Sequence, residues 1–360
     1  MEHSIVIVGY GTMGISHTAK LRALGGVRVA GAVDIDPVRQ GYAREDGLHV
    51  YADLEDALAD PDVDMVFVCT PNDSHRPIAL AALGAGRHVI CEKPAMLDSA
   101  ELEEVIALAE SRGLVFAVHQ NRRWDEDYLS IKRLYDDGTI GPITRIESRV
   151  HGSRGIPSDW RALPENGGGM LLDWGVHLVD RLLVMIDAPV VAVYARLSHV
   201  LGHTVDDGFT LLMTFGNGVE VVVDVSTTSY IPLPKWVAAS ATGTATIDDW
   251  EMHGKVLHRN TRSEADAAPI VAGAGMTKTM APRAVDFAAL VTNDESVEFL
   301  ELPRVETDVS DFYRNVLAAV DGREALIVTH AQVLRCMRLL EAVAESHRTG
   351  AAVAFEPPAI

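Results

Sequence analysis

The chain has 360 residues, 48% hydrophobic and 23% charged, with 31 basic against 51 acidic side chains and a net charge of −20. That length suits about two domains with a sizeable core. So acidic a surface repels phosphate backbones and anionic membranes, which argues against nucleic acid or lipid as the main partner but leaves room for one local basic pocket. The three cysteines, Cys69, Cys91 and Cys336, stand far apart with no CxxC pair. Neither a disulfide framework nor a zinc cluster is expected, and the usage fits a reducing cytosol. The N-terminus enters a strand-like run without a basic leader, and no apolar run reaches the roughly 18 residues of a membrane span. A cytoplasmic protein with no membrane partner is expected.

Ile5–Val8 is a short β-branched run of the kind that forms a strand covered on both faces. It feeds Gly9-Tyr10-Gly11-Thr12-Met13-Gly14 and then a helical pattern from Ile15 to Leu21. In that setting the first glycine makes the tight turn and the second lets backbone approach a pyrophosphate. The third packs helix on strand, and the helix N-terminus faces the negative charge. A second strand, Val27–Val33, ends in Asp34, 20 residues after Gly14, where a carboxylate serves the adenosine ribose hydroxyls. Ile35 follows it instead of an arginine that could pair a 2′-phosphate, so NAD is expected over NADP.

The alternation continues with a helix closing at Asp62, strand Met65–Cys69, helix 76–85, strand His88–Cys91, helix 99–112 and strand Val115–Val118. Each strand delivers polar residues at its carboxyl end, where ligands sit in a doubly wound sheet. These are Cys69-Thr70-Pro71-Asn72 with His75, then Glu92-Lys93-Pro94, then Asn121-Arg122-Arg123-Trp124. Lys93 is either a solvated cap on its strand or, beside a cofactor pocket, a proton donor or charge stabiliser. Desolvation depresses a lysine pKa toward the useful range.

After Gly141-Pro142 the pattern changes. Residues 143–150 alternate as a half-exposed strand should, and 190–197, 209–215, 219–227 and 236–241 are further strands, with Gly216-Asn217-Gly218 a hairpin turn. They predict an open, largely antiparallel sheet. Gly167-Gly168-Gly169 releases into an apolar run carrying Asp173, His177 and Asp180, at spacings of four and three that stack on one side of an α-helix. Buried unpaired, such groups cost several kcal/mol, so the stripe is either a hydrogen-bonded core pair or the face of a site. The helix is expected between the sheet and the first domain, with the three glycines bringing the chain close to the cofactor.

Arg154, Trp160 and Arg161 fall between the domains. Trp160 is a plug in a loop or a plane for a sugar ring, and Tyr128, His151 and Tyr230 are weaker pocket candidates. Residues 263–282 are loop-like. Helices 311–320 and 329–348 are expected to cover the outside of the first domain, and 351–355 to add an edge strand. The expected organisation is a dinucleotide-binding domain (1–122), a substrate and oligomerisation domain (123–328) and a C-terminal helix and tail (329–360) packing back on the first. The expected fold class is α/β, an N-terminal Rossmann doubly wound parallel sheet plus a C-terminal α+β domain with an open, mostly antiparallel sheet.

The ordered set of Gly9/Gly11/Gly14, Thr70-Pro71-Asn72 with His75, Glu92-Lys93-Pro94, Asn121-Arg122-Arg123-Trp124 and Gly167-Gly168-Gly169 through Asp173, Gly175-Val176-His177 and Asp180 resembles the Gfo/Idh/MocA oxidoreductases. These include inositol, glucose–fructose and related sugar dehydrogenases, and the resemblance covers nearly the whole chain. It implies that Lys93, Asp173 and His177 form the catalytic group, and that the Lys93–Pro94 bond is cis. It also implies that Trp160-Arg161 lies over the nicotinamide side of the cofactor, and that subunits pair through a sheet face as a homo-dimer or homo-tetramer.

The expected activity is NAD-dependent oxidation of a secondary alcohol of a sugar, cyclitol or glycoside, or its reverse. His177 would take the hydroxyl proton, Asp173 would orient the imidazole or bond a neighbouring hydroxyl, and Lys93 would stabilise the alkoxide or relay the proton. Which of His177 and Lys93 is the formal base stays open. Cofactor contacts are expected at Gly9, Gly11, Thr12, Met13, Gly14, Asp34, Cys69, Thr70, Pro71, Asn72, His75, Glu92, Lys93, Asn121, Trp160 and Arg161. Substrate contacts are expected at Arg123, Trp124, Arg154, Asp173, His177 and Tyr230, and no metal site is expected. Two other classes compete: a dinucleotide-sensing regulator of the same fold that does no chemistry, and a metal-dependent hydrolase using Asp173, His177 and His151 or His203. Intact Lys93, Asp173 and His177 count against the first, and the absence of an HExxH-like spacing counts against the second.

Overall fold

A computed structural model describes residues 3–260, 270–272, 276–278 and 285–355. The β-branched runs of the first third pair in parallel: β1 (His3–Val8), β2 (Val27–Val33), β3 (His49–Val50), β4 (Met65–Val68), β5 (His88–Cys91) and β6 (Phe116–Val118), in the spatial order β3-β2-β1-β4-β5-β6. Every side chain of β4 is fully buried, which is why its sequence is continuously apolar instead of alternating. Helices α1 (Thr12–Leu24), α2 (Pro37–Glu45), α3 (Leu54–Ala59), α4 (His75–Gly84) and α5 (Ser99–Ser111) cover the sheet. Asp36, Asp53 and Asp98 cap α2, α3 and α5 through their carboxylates, each such cap being worth about 1 kcal/mol. The strand order reverses between β1 and β4, and the crevice at their carboxyl ends is where this topology places a ligand.

The second half builds a nine-stranded sheet behind α6 (Glu126–Asp137) and α7 (Val176–Met185). Its strands are β7 (Ile143–His151), β8 (Val190–Ser198), β9 (Gly208–Phe215), β10 (Glu220–Ser226), β11 (Trp236–Ser240), β12 (Gly243–Ile247) and β13 (Gly254–Arg259). Two small hairpins, β14 (Ile270–Ala272) with β15 (Met276–Lys278) and β16 (Val285–Asp286) with β17 (Val291–Thr292), precede β18 (Val297–Leu300). Part of the loop expected over 263–282 thus pairs as a hairpin, and the remainder lies outside the described residues. After α8 (Ser310–Val320) and α9 (His330–Thr349), β19 (Val353–Ala354) closes the order β18-β13-β12-β11-β7-β10-β9-β8-β19 as an edge strand. Every pair in this sheet is antiparallel except β7 with β10.

The expected outer cover is shared between the halves. Arg338 on α9 pairs with Glu103 of α5 at 2.5 Å, while Ser346 accepts the Ala195 amide of β8 at 3.0 Å and Arg335 donates to the Ala188 carbonyl at 2.9 Å. Val333, Cys336, Met337, Leu340 and Val343 are all buried, an apolar face wide enough to pack on both. Among the described residues no helix is long and apolar enough to cross a membrane.

Candidate active site

A cleft of about 390 Å³ opens at the crevice. Its walls carry Gly11, Thr12 and Met13 from the glycine-rich turn, Cys69, Thr70, Pro71 and Asn72 after β4, Glu92 and Lys93 after β5, and Asn121 after β6. Trp160, Arg161, Asp173 and His177 face them, joined by Arg122, named in a strand-end cluster but given no contact, and by three residues that sequence reasoning missed: Arg39, Asp159 and Trp174. The turn is built for close backbone approach. Gly9 has φ +95°, and a Cβ there would fall 2.7 Å from the Cys69 carbonyl, while one at Gly14 would fall 2.2 Å from the Gly9 carbonyl. A Cβ at Gly11 would meet only the Arg39 side chain, at 3.5 Å. No side chain caps α1, so its first-turn amides are left for an anion. Asp34 lies just behind, its carboxylate accepting the Tyr10 amide at 2.6 Å and the Asp36 amide at 2.9 Å. These residues fit a dinucleotide.

The opposite wall is not the plain α-helix its spacing predicts. Leu171–Gly175 forms a π-turn ahead of α7, in which the hydrogen-bond ladder moves to i+5 partners. Lys93 Nζ donates to Asp173 Oδ1 at 2.8 Å and to the Asp173 carbonyl at 3.0 Å, and Arg161 Nε lies 3.4 Å from Oδ2. Burial alone would raise the Asp173 pKa, but Lys93 and then Arg161 outweigh it and hold the carboxyl below its ordinary value. The Asp173 side chain is therefore taken up by two cations and does not orient the imidazole. Burial first, then Lys93, Arg122 and Arg181, push His177 well below the usual histidine range. Its Nδ1 is buried without a hydrogen-bond partner among the described residues. Arg122 rests against a pair of indoles, 4.6 Å from the Trp174 ring and 5.3 Å from that of Trp250, the two rings themselves 6.1 Å apart.

The triple glycine has a different purpose from the one expected. A Cβ at Gly167 would fall 2.4 Å from Leu97, at Gly168 2.3 Å from the Arg161 carbonyl, and at Gly169 2.2 Å from the Asp206 carboxylate. The glycines let protein pack on protein, and none of them lines the cleft. Asp206 in turn starts the π-turn: its carboxylate accepts the Leu171 amide at 2.8 Å and its carbonyl the Met170 amide at 3.1 Å. Burial pushes this carboxyl up to about 6, against the pull of those amides.

Several expected contacts lie elsewhere. Arg123 is 7% exposed and forks onto Asp180, with Nε 2.7 Å from Oδ2 and a terminal nitrogen 2.6 Å from Oδ1, while it also reaches Gln332. Successive residues of the 3₁₀ turn Asn121–Trp124 point about 120° apart, so Arg122 turns into the cleft and Arg123 away. Its buried ion pair also accounts for Asp180, and removing either partner would cost about 3–5 kcal/mol. Trp124 packs edge-on against Phe312, with ring centroids 6.0 Å apart. His75 is fully buried between the loops after β4 and β5, its ring nitrogens 2.9 Å from the Thr70 and Pro94 carbonyls and 3.2 Å from that of Ala95. Tyr230 is 84% exposed. Arg154 lines a neighbouring hollow whose shared wall is Trp174. Tyr128 is buried, and His151 is paired with Asp224 at 2.8 Å. Asp173, His177, His151 and His203 form no ligand cluster among the described residues. The Lys93–Pro94 bond is cis.

Comparison with known proteins now decides the family. Residues 3–120 match the oxidoreductase family with NAD-binding Rossmann fold, and residues 128–247 match the GFO/IDH/MocA C-terminal domain. The chain belongs to the Gfo/Idh/MocA oxidoreductase family. Its structure is similar to an NAD-binding protein from Listeria innocua, with a TM-score of 0.87 and 39% identity, covering 98% of this chain and 97% of that one. The chain spans about half of the uncharacterized oxidoreductase C115.03 of Schizosaccharomyces pombe, 35% identical over 188 residues that are 50% of this chain and 51% of that protein. Inositol 2-dehydrogenase 2 of Saccharopolyspora erythraea is 34% identical over 233 residues, 62% of this chain and 67% of that protein.

Proposed function

We propose that this Gfo/Idh/MocA protein is an NAD-dependent dehydrogenase acting on a secondary alcohol, or the ketone in reverse, of a sugar, cyclitol or glycoside. The observation that carries this reading is the 2.8 Å pairing of Lys93 with Asp173 in the same cleft as His177 and the glycine-rich turn. The similarity to an inositol 2-dehydrogenase supports the substrate class. A bound nicotinamide would supply the hydride acceptor or donor. The uncapped start of α1 suits its pyrophosphate, and Asp34, with lone pairs left on both oxygens, suits the ribose hydroxyls, which supports NAD over NADP.

The side chains divide the remaining work. His177, held in its neutral form by burial and by Lys93, is the free base for the alcohol proton. Lys93, already donating to two oxygens, holds positive charge where negative charge develops on the substrate oxygen. Asp173, whose other carboxylate oxygen faces Arg161, keeps that ammonium in place. Trp160, Trp174 and Arg122 offer flat faces and donors to a polyhydroxylated ring. The test is a spectrophotometric screen of inositols, aldoses, sugar acids and glycosides with NAD⁺ and with NADP⁺. Turnover of at least one such compound is expected. Dinucleotide binding with no turnover across the panel would replace this reading with a non-catalytic sensor.

A further inference from the structure

Behind the cleft wall, four polar side chains from four elements meet in the buried core beneath the parallel sheet's carboxyl edge. His17 of α1, His119 at the end of β6, Glu92 at the end of β5 and Tyr313 of α8 are each no more than 6% exposed. Glu92 Oε1 lies 2.8 Å from His17 Nε2 and 2.8 Å from His119 Nδ1. Tyr313 Oη lies 2.7 Å from His17 Nδ1 and 3.4 Å from His119 Nε2. The donor and acceptor balance is unequivocal around His17. Burial drops its pKa to about 4, so the neutral ring gives its one N–H to Glu92 and accepts the Tyr313 hydroxyl.

One carboxylate oxygen of Glu92 is thus saturated by two imidazole N–H groups. The other accepts the Lys93 amide at 3.0 Å and keeps a free lone pair on a residue that lines the cleft. The remaining groups that face Glu92 electrostatically are Cys91 on its own strand, Cys69 after β4, His75 of α4 and His177 of α7. Burial alone would raise the Glu92 carboxyl, and His119 and His17 reverse that and hold it well below the usual carboxylate range.

We propose that His17 and His119, braced by Tyr313, are positioning residues that lock the Glu92 carboxylate as a fixed anionic acceptor at the cleft wall, making dinucleotide binding independent of pH through the neutral range. This rests on the dinucleotide-binding reading of the cleft. None of the three need touch a ligand, and they act through Glu92 and through the Lys93 amide that it holds. Without the imidazole donors, desolvation is left unopposed, and a buried carboxyl then titrates near neutrality.

The test is NADH fluorescence titration between about pH 5.5 and 8.5, on the wild type, His119→Leu, His119→Asn and Glu92→Gln. Wild-type affinity should stay within about twofold across that range, whereas His119→Leu should bind at least about tenfold more weakly at the acid end than at the alkaline end. His119→Asn restores an N–H at the place of Nδ1 and should recover the flat profile. Glu92→Gln should bind more weakly at every pH, without a slope. If His119→Leu lacks a cooperative melt, Tyr313→Phe carries the test, with a smaller slope of the same sign. A flat profile in the folded variant, or a loss equal at every pH, overturns the inference. A wild type that binds no dinucleotide overturns the reading beneath it, which is a distinguishable failure.

Discussion

Lys93 is bonded twice to one residue: Asp173 accepts its ammonium through the carboxylate at 2.8 Å and through the main-chain carbonyl at 3.0 Å. Two acceptors on one rigid turn fix a flexible side chain, and they leave the third N–H of the ammonium for a substrate oxygen. Positioned acid–base and electrostatic groups are worth about 10²–10⁴ in rate. Lys93→Ala and His177→Ala should each lower kcat by roughly that factor on whichever substrate the screen finds, while NADH still binds. Near-wild-type turnover in either variant would remove the mechanism.

Cofactor choice turns on Asp34 and a residue five positions later. The Arg39 guanidinium sits 4.0 Å from Asp34 and 3.7 Å from Asp36, is 47% exposed and lines the cleft. So loose a pairing leaves it able to meet a 2′-phosphate, whereas Asp34 repels one. NAD⁺ should bind about tenfold or more tightly than NADP⁺, a gap of about 1.4 kcal/mol. Arg39→Ala should weaken NADP⁺ further and leave NAD⁺ within about twofold. Direct titration decides it, and a preference for NADP⁺ would transfer the deciding role from Asp34 to Arg39.

Asp206 gives stability a pH dependence. An unfolded aspartate titrates at about 3.9, and this one at about 6, raised by burial. Between those values the folded protein holds the extra proton, so the contribution is complete below the lower pKa and is lost as pH rises through the upper one. Asp206→Asn keeps an acceptor for the Leu171 amide without the buried charge. Thermal melts should show it more stable than the wild type by about 3 kcal/mol at neutral pH, and no more stable near about pH 4. An asparagine variant equally destabilised at both would refute this.

The open face of the nine-stranded sheet carries Tyr194 opposite Leu212, 37% and 46% exposed. A second copy's sheet face packing here would bury this pair. A homo-dimer or homo-tetramer is the expected assembly, and Leu212→Lys should shift it toward monomer in analytical ultracentrifugation without a change in circular dichroism. A wild-type monomer would dispose of the expectation.

The glycine-rich turn, the strand-end polar clusters and the parallel sheet were legible because each rests on local chemistry: a period, a turn residue, a position at a strand's end. What stayed hidden depends on direction. Arg122 and Arg123 are identical neighbours, and only the pitch of the 3₁₀ turn sends one to the cleft and the other to Asp180. The three glycines advertised a close approach, but the sequence does not say to what. Leu97, the Arg161 carbonyl and Asp206 answer that only in three dimensions. β12 and β13 escaped because each opens on a glycine and carries only two apolar side chains, too few to show a period. His17, His119 and Tyr313 come from distant parts of the chain and share no motif.

The π-turn at Leu171–Gly175 makes chain length, as well as residue identity, a determinant of this site. One residue of an α-helix corresponds to about 100° of rotation. Removing a single residue there would let the turn relax to α-helical pitch and shift Asp173, whose carboxylate and carbonyl both hold Lys93, relative to α7 and β5. Every side chain named in the mechanism would remain in the protein. Such a deletion is a route by which a lineage could retire the chemistry in one step while preserving the dinucleotide pocket and the fold around it.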